Sequence, residues 1–392
     1  MPPSMLPEVR EEVSAMRKII YKYELRKLFC AKVNLIALAG SVIMLVFLAF
    51  ASVSEVQPVS REAAEQLDGR VIDGQLIEEL RPAMRFENGS TVIEITEEYE
   101  KYVPVIDVLV AVAGYDRDLT KLQGTEYYDL RQQQLDQLIE KQGLTETEKQ
   151  FWRGMEEQVR KPFTYHYHSG PANLLKSFQA LGFFILLLSA IGLSGVYARE
   201  TADNMNQLLL CSRYGKKELY PIKFLAGLTW ILAAAALVLL AILLPYCVIY
   251  GMEGMGEILQ LVKPLSMLPY TIGRMLAVYL VIYFAAAVFF GAVTMLLSVT
   301  TQNQLAVTCG LLGYLLIDLF AEVPDRFGLL QKIWLLRPNA VLMNTGVTNY
   351  RLFHLAGRLF TNYQTAPVIY VIIAITALLA GRRKYRELQV GK

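Results

Sequence analysis

FLAGLTWILAAAALVLLAILLPYCVIY, residues 224–250, contains no charged side chain. A helix needs about 20 apolar residues to cross a hydrocarbon core of about 30 Å. This run exceeds that length. It also lacks the period-2 alternation of a barrel strand. A membrane-spanning helix is the reading that fits.

Working outward, five further runs share this character: 33–53, 173–198, 275–299, 305–323 and 366–381. The last is short and extends back toward Asn362. The expected fold class is therefore an all-α membrane protein with six transmembrane helices. The run at 33–53 is not read as a signal peptide. About 32 mostly hydrophilic residues precede it, and it is too long for a signal core.

The 392 residues are 54% apolar and 19% charged, with a mean hydropathy of +0.35. Soluble domains carry about 25% charged residues. A soluble enzyme, a disordered tail, a collagen-like chain and a disulfide-rich secreted domain are excluded. The polar exception is 54–172, which holds 23 acidic and 13 basic residues, net −10. The remaining chain is net +12. Its positive charge flanks apolar runs, where topology accounts for it, so no nucleic-acid partner is expected.

Seven Lys/Arg (Arg10, Arg17, Lys18, Lys22, Arg26, Lys27 and Lys32) precede the first run, against only Arg61 in 54–68. Cytoplasmic segments carry the excess of Lys and Arg. Both termini are therefore expected in the cytoplasm, with 54–172, 251–274 and 324–365 outside. The loop 199–223 and the tail 382–392 are basic and agree. The segment 324–365 also carries basic residues, and its short apolar stretches suit re-entrant helices dipping into the outer leaflet. Residues 1–32 are expected to form an interfacial helix on the inner leaflet, with Met16, Ile19, Ile20, Tyr23 and Leu28 on one face.

The insert 54–172 reads as a mostly helical extracellular domain folded on its own apolar faces. A helix over 127–142 places Leu130, Leu135 and Leu138 together. Gly143 follows as a left-handed cap. Thr145 and Glu148 have the spacing of a capping box, opening a second helix that turns Phe151, Trp152, Met155 and Val159 inward. Asp68-Gly69 and Asp73-Gly74 mark turns, and 91–95 a short strand. His166 and His168 are half a zinc site at best, and interfacial aromatics explain that stretch better. No Walker loop, HExxH, GxSxG, GxGxxG or CxxC is present, so neither a catalytic residue nor a metal site is expected. Asp318 is the clearest carboxylate inside an apolar run and is a candidate for a transport pathway. Ala287 and Gly291, four residues apart, suit close helix packing.

The informative loop is 199–223, RETADNMNQLLLCSRYGKKELYPIK. Met205, Leu208 and Leu209 form a short apolar helical face. A basic turn follows at Ser212, Arg213, Gly215, Lys216 and Lys217. Such a helix across the inner face suits a partner's groove.

Glu200, Leu208-Leu209-Leu210, Ser212-Arg213, Gly215-Lys216-Lys217, Glu218-Leu219 and Lys223 resemble the coupling region of type-2 ATP-binding cassette (ABC) exporter membrane subunits. Asn204 and Met205 depart from it, standing where the family usually has Gly and Thr. The resemblance implies a permease subunit of a cell membrane, bacterial in type. It implies ATPase coupling through Glu200, Met205, Leu208, Leu209, Ser212, Arg213, Gly215, Lys216 and Lys217. Its partners would be cytoplasmic ABC ATPase subunits, a second permease subunit and membrane lipid. This chain would bind no cofactor, and ATP with Mg would sit on the ATPase. Exported substrates in the family include peptides, antibiotics, lipids, polysaccharides and ions. The alternative is a membrane-bound peptide or antibiotic sensor that uses the outer domain without transport.

Overall fold

The structure, a computed structural model, describes residues 7–55, 65–96, 98–123, 126–202, 218–321, 323–324, 327–343, 349–355 and 357–387. Most of these residues are helical. Among the described residues, five helices are long and apolar enough to cross a membrane. They are α2 (Lys32–Glu55), α7 (Ser169–Leu193) continued by α8 (Gly195–Ala202), α9 (Leu219–Ile249), α10 (Ile272–Thr301) and α14 (Asn362–Glu387). A sixth apolar helix, α11 (Gln304–Phe320), has 17 residues and is shorter than the expected run 305–323. Asn303 caps its start, accepting from Ala306 N–H, and it stops before Ala321.

Helix α10 is the centre of the bundle and packs on α7, α9, α11 and α14. Small residues permit the close approach of α7, α9 and α10. A Cβ on Gly192 would lie 2.2 Å from the Trp230 ring, and one on Gly227 2.4 Å from Met295 Sδ. Gly291 faces Ile231, and Ala287 is fully buried, so both are packing positions. Several polar atoms inside this core are paired across helices, as a dry interior favours. Ser189 and Thr294 hydroxyls meet at 2.7 Å, and Tyr283 Oη donates to the Ala235 carbonyl at 2.9 Å.

The expected second span is interrupted at Ser194. Ser298 Oγ enters the helical ladder there. It donates to the Ser194 carbonyl at 2.6 Å and accepts from Tyr197 and Ala198 N–H, each at 3.2 Å. A side chain inserted into a ladder is a recognised cause of a helix break.

Helix α1 (Pro7–Cys30) differs from the expected face. It packs on α9 with Tyr21, Glu24 and Leu28, and Tyr21 Oη meets Thr229 Oγ1 at 2.8 Å. Met16, Ile19 and Tyr23 point away and are exposed. Leu28 therefore does not share their face. The inward side is polar because Glu24 has a partner on α9, described below.

The insert is mostly helical, with α3 (Gly74–Leu80), α4 (Val103–Ala113), α5 (Glu126–Lys141) and α6 (Glu146–Glu156). The capping box of Thr145 and Glu148 is present, and Gly143 has φ +61°. Asp73 is an N-cap for α3 rather than a turn residue, accepting from Leu76 N–H at 3.0 Å. The strand at 91–95 is the second half of a hairpin, β1 (Met84–Glu87) with β2 (Ser90–Ile93). Asn88 and Gly89 turn it with φ of 54° and 80°, the positive values a two-residue hairpin turn needs.

The expectation that the insert folds only on its own faces is not met. One apolar cluster, including Ile72, Leu76, Val105 and Leu109, belongs to the insert. The far half of the α5–α6 hairpin, with Leu135, Ile139 and Trp152, instead joins the core of the long helices. Arg131 makes the junction. It is 1% exposed, donates to the Pro264 and Ser266 carbonyls at 2.6 and 3.0 Å, and pairs with Glu156. Trp152 Nε1 donates to the Tyr350 carbonyl, and the two rings meet edge-on. Glu148, predicted only as a cap, also accepts from Leu352 N–H at 3.2 Å and from Lys332 at 3.4 Å. Burial raises its pKa, but the Thr145 and Leu352 N–H groups and Lys332 outweigh this and hold it below the usual range.

Among its described residues, the segment 324–365 has two short helices, α12 (Gly328–Trp334) and α13 (Pro338–Leu342). Its stretch 352–360 is a hairpin of β3 (Phe353–Leu355) and β4 (Arg358–Phe360), not a re-entrant helix. Leu329, Leu330 and Ile333 on α12 are exposed, whereas α13 is buried against α7.

Removing one partner of a buried, hydrogen-bonded ion pair costs about 3–5 kcal/mol. Glu156→Ala strands Arg131 and should lower stability by about that amount, read as a fall in melting temperature of the purified protein. Glu140→Ala, at an exposed partner of Lys149, should leave the melting temperature essentially unchanged.

Candidate functional site

The sequence directs attention to two places, the loop 199–223 and Asp318. Residues 203–217 lie outside the described residues, and with them Met205, Leu208, Leu209, Ser212, Arg213, Gly215, Lys216 and Lys217. Glu200 and the far foot of the loop are described.

Glu200 ends α8 and is buried. Its carboxylate pairs with Lys223 Nζ on the second turn of α9. The Lys223 side chain is 0% exposed. Glu24 of α1 lies 3.8 Å from the same ammonium, and Lys27 of α1 reaches Glu200 at 3.5 Å. Two carboxylates and two ammonium groups make the cluster neutral. A lysine near a helix N-terminus opposes the helix dipole, and here the two carboxylates offset that.

Helix α1 holds both feet of the loop. Lys27 reaches Glu200 on one side, and Arg17 pairs with Glu218 at 2.7 Å on the other. Arg17 and Lys27 are ten positions apart, about 15 Å along a helix. Beneath them Tyr197 and Tyr220 stack with centroids 5.1 Å apart, and Tyr385 of α14 packs edge-on against Tyr197 at 5.8 Å. Tyr197 Oη donates to the Tyr220 carbonyl at 2.9 Å. A Cβ on Gly381 would lie 2.1 Å from Tyr220 Oη, so α14 approaches only because that residue is glycine. Among the described residues, buried Glu200 Oε2, Tyr220 Oη and Tyr385 Oη have no hydrogen-bond partner. Moving α8 against α9 or α1 would separate these buried charges.

Asp318 is elsewhere, at the end of α11. Its side chain is 1% exposed and pairs with Arg337, while Asn339 Nδ2 donates to its other oxygen. Arg337 also stacks 3.8 Å over the Trp334 ring. Both carboxylate oxygens are thus occupied in fastening α12 and α13 to α11. Glu200 and Asp318 are not brought together. His166 and His168 do not converge either: the first pairs with Asp68 at 3.1 Å, and the second contacts the His166 carbonyl. Among the described residues no group of His, Cys, Asp or Glu could hold a metal ion.

Sequence reasoning missed the parts played by Arg17, Glu24 and Lys27. Arg17, Tyr21, Glu24 and Leu28 recur at three- and four-residue spacing, the signal of a helix face. That polar stripe was visible but was outweighed by the apolar one beside it.

Comparison with protein-family models, with curated proteins and with solved structures finds no match to this chain.

Lys223→Met and Glu200→Gln should each destabilise the protein by about 3–5 kcal/mol. The double variant should lose clearly less than their sum, with a coupling of at least about 1 kcal/mol. Thermal melts of the four proteins in detergent measure this. Strict additivity would mean that the pair does not hold this end of the bundle.

Proposed function

We propose that the chain is the permease subunit of an ABC exporter, driven by a separate ATPase subunit through the loop 199–223. One observation carries this reading: both feet of that loop are ion-paired to a single helix, α1, which packs along α9. A push on the loop would reach the bundle at two points. In this reading ATP binding by a pair of ATPase subunits displaces the loop and favours one of two packings of the long helices. A second permease subunit completes the transport path. Peptides, antibiotics, lipids and similar molecules are the substrate classes. Asp318, engaged at both oxygens, is not assigned to the path.

The proposed topology has six spans, with α11 as the fifth and both termini in the cytoplasm of a bacterial cell. The Lys/Arg asymmetry supports it. In a variant lacking Cys30, Cys211, Cys247 and Cys309, single cysteines at Glu87 and Glu140 should react with an impermeant thiol reagent on intact cells. One at Lys216 should react only after lysis. The opposite pattern would invert the protein.

The coupling surface is tested by Leu208→Asp with Leu209→Asp. Burying one Leu in a partner groove contributes about 1.5–3 kcal/mol. The double change should weaken ATPase capture by more than about 3 kcal/mol, over a hundredfold. ATP hydrolysis by the affinity-purified complex should fall in step, while the permease alone melts as before. Undiminished ATPase capture would place the coupling surface elsewhere. Capture of a kinase, or of no ATPase even by the unaltered chain, would favour the sensor reading.

A further inference from the structure

Two cavities meet at one side chain, Lys176 of α7. The upper cavity, about 440 Å³, lies between α4 of the insert and the ends of α7 and α9. Asp107, His168, Asn173, Lys176, Tyr246 and Tyr250 are among its walls. The lower groove, about 360 Å³, lies between α2, α7, α11 and α13. Its walls are mostly apolar, including Met44, Leu48, Phe183, Phe184 and Leu319. Lys176 lines both.

The continuity has a simple origin in the sequence. Ala172, Lys176, Ala180 and Phe183 fall at spacings of four, four and three, one stripe on α7. From 172 to 183 the stripe runs about 16 Å at 1.5 Å per residue. Its upper part is polar and its lower part apolar. Around the lower part Phe47 and Phe320 are exposed, as expected of side chains that meet lipid.

In the upper part Lys176 and Asp107 attract each other without closing into an ion pair. Among the described residues Lys176, Asp107 and Lys263 make no side-chain hydrogen bond or ion pair. Lys263 is not itself a lining residue, but it lies between Val262 and Pro264 in the chain and close enough to Lys176 for the two ammonium groups to repel. Burial, and then repulsion by Lys176, lower its pKa. Burial likewise lowers that of His168, which keeps the imidazole neutral at pH 7. Two ammonium groups against one carboxylate leave an excess positive charge above an apolar groove.

We propose that cavity and groove are one binding site for an anionic lipid, with its phosphate at Lys176 and Lys263 and its chain along the stripe toward Phe183. Asp107, on the opposite wall, faces the polar end of the headgroup. The site rests on the membrane placement of the long helices and not on ATPase coupling, so either can fail alone.

The test uses the full-length protein purified in a maltoside detergent and stripped of lipid by exchange. Dioleoyl phosphatidylglycerol should raise its melting temperature and stay bound in native mass spectra. Dioleoyl phosphatidylcholine, with no net charge, should do neither. Glycerol 1-phosphate alone, the free-anion control, should not stabilise, because it lacks the chain. Lys176→Gln with Lys263→Gln should weaken phosphatidylglycerol at least tenfold, and Lys176→Arg with Lys263→Arg should retain it. Ala180→Trp fills the groove without changing charge and should weaken the lipid as well, which keeps the test open should the glutamine variant fold poorly. Equal binding of the two lipids would overturn the proposal, as would equal stabilisation by glycerol 1-phosphate or full binding by the Ala180→Trp variant.

Discussion

Lys223 holds an ammonium group where water does not reach, and the Glu200 end of the bundle is arranged around it. A charge in such a place needs partners, and a single carboxylate leaves donors over. Glu200 arrives from α8, Glu24 from α1, and the Tyr197 ring closes one side at 5.8 Å. Three separate segments must therefore be in register for the lysine to be buried at all. The position of α1 against α9, and of both feet of the loop 199–223, follows from that requirement.

The same constraint recurs at other polar groups that enter the apolar body. Ser298 is satisfied by opening the ladder of the second long helix at Ser194. Asp318 is satisfied by Arg337 and Asn339, which draws α12 and α13 onto α11. Arg131 is satisfied partly by Glu156 and partly by the carbonyls of 264 and 266, which fixes the insert to the loop between α9 and α10. Each buried charge acts as a fastener between segments distant in sequence. Lys176, Asp107 and Lys263 stand apart from this pattern, and for that reason they read as a place for something other than the chain itself.

The two ends of the bundle differ in kind. At the Glu200 end the polar groups pair with one another across α1, α8 and α9, an arrangement suited to carrying displacement. At the insert end there are cavities, a groove and unspent charge, an arrangement suited to holding a ligand. The Gly192–Trp230 and Gly227–Met295 contacts lie between them and hold α7, α9 and α10 together.

The sequence by itself determined the helical class, the long apolar helices, and much of the insert's local structure. Apolar periodicity, the Thr145–Glu148 capping box and Gly143 are local signals, and local backbone preference decides them. The hairpin turn at Asn88-Gly89 is equally local, set by two residues that take positive φ. The sequence also placed Glu200 and Lys223 together in one motif. It did not reveal that Glu24 and Lys27 complete their cluster, that Asp318 is a fastener, or that Trp152 leaves the insert's core for Tyr350. A polar side chain looks the same in a sequence whether it meets water or a partner 198 positions away, as the Tyr350 carbonyl is from the Trp152 indole. Only the tertiary structure decides, because the partner of a buried polar group is chosen by which helices can pack closely, and that depends on the volumes of residues such as Gly192 and Gly381.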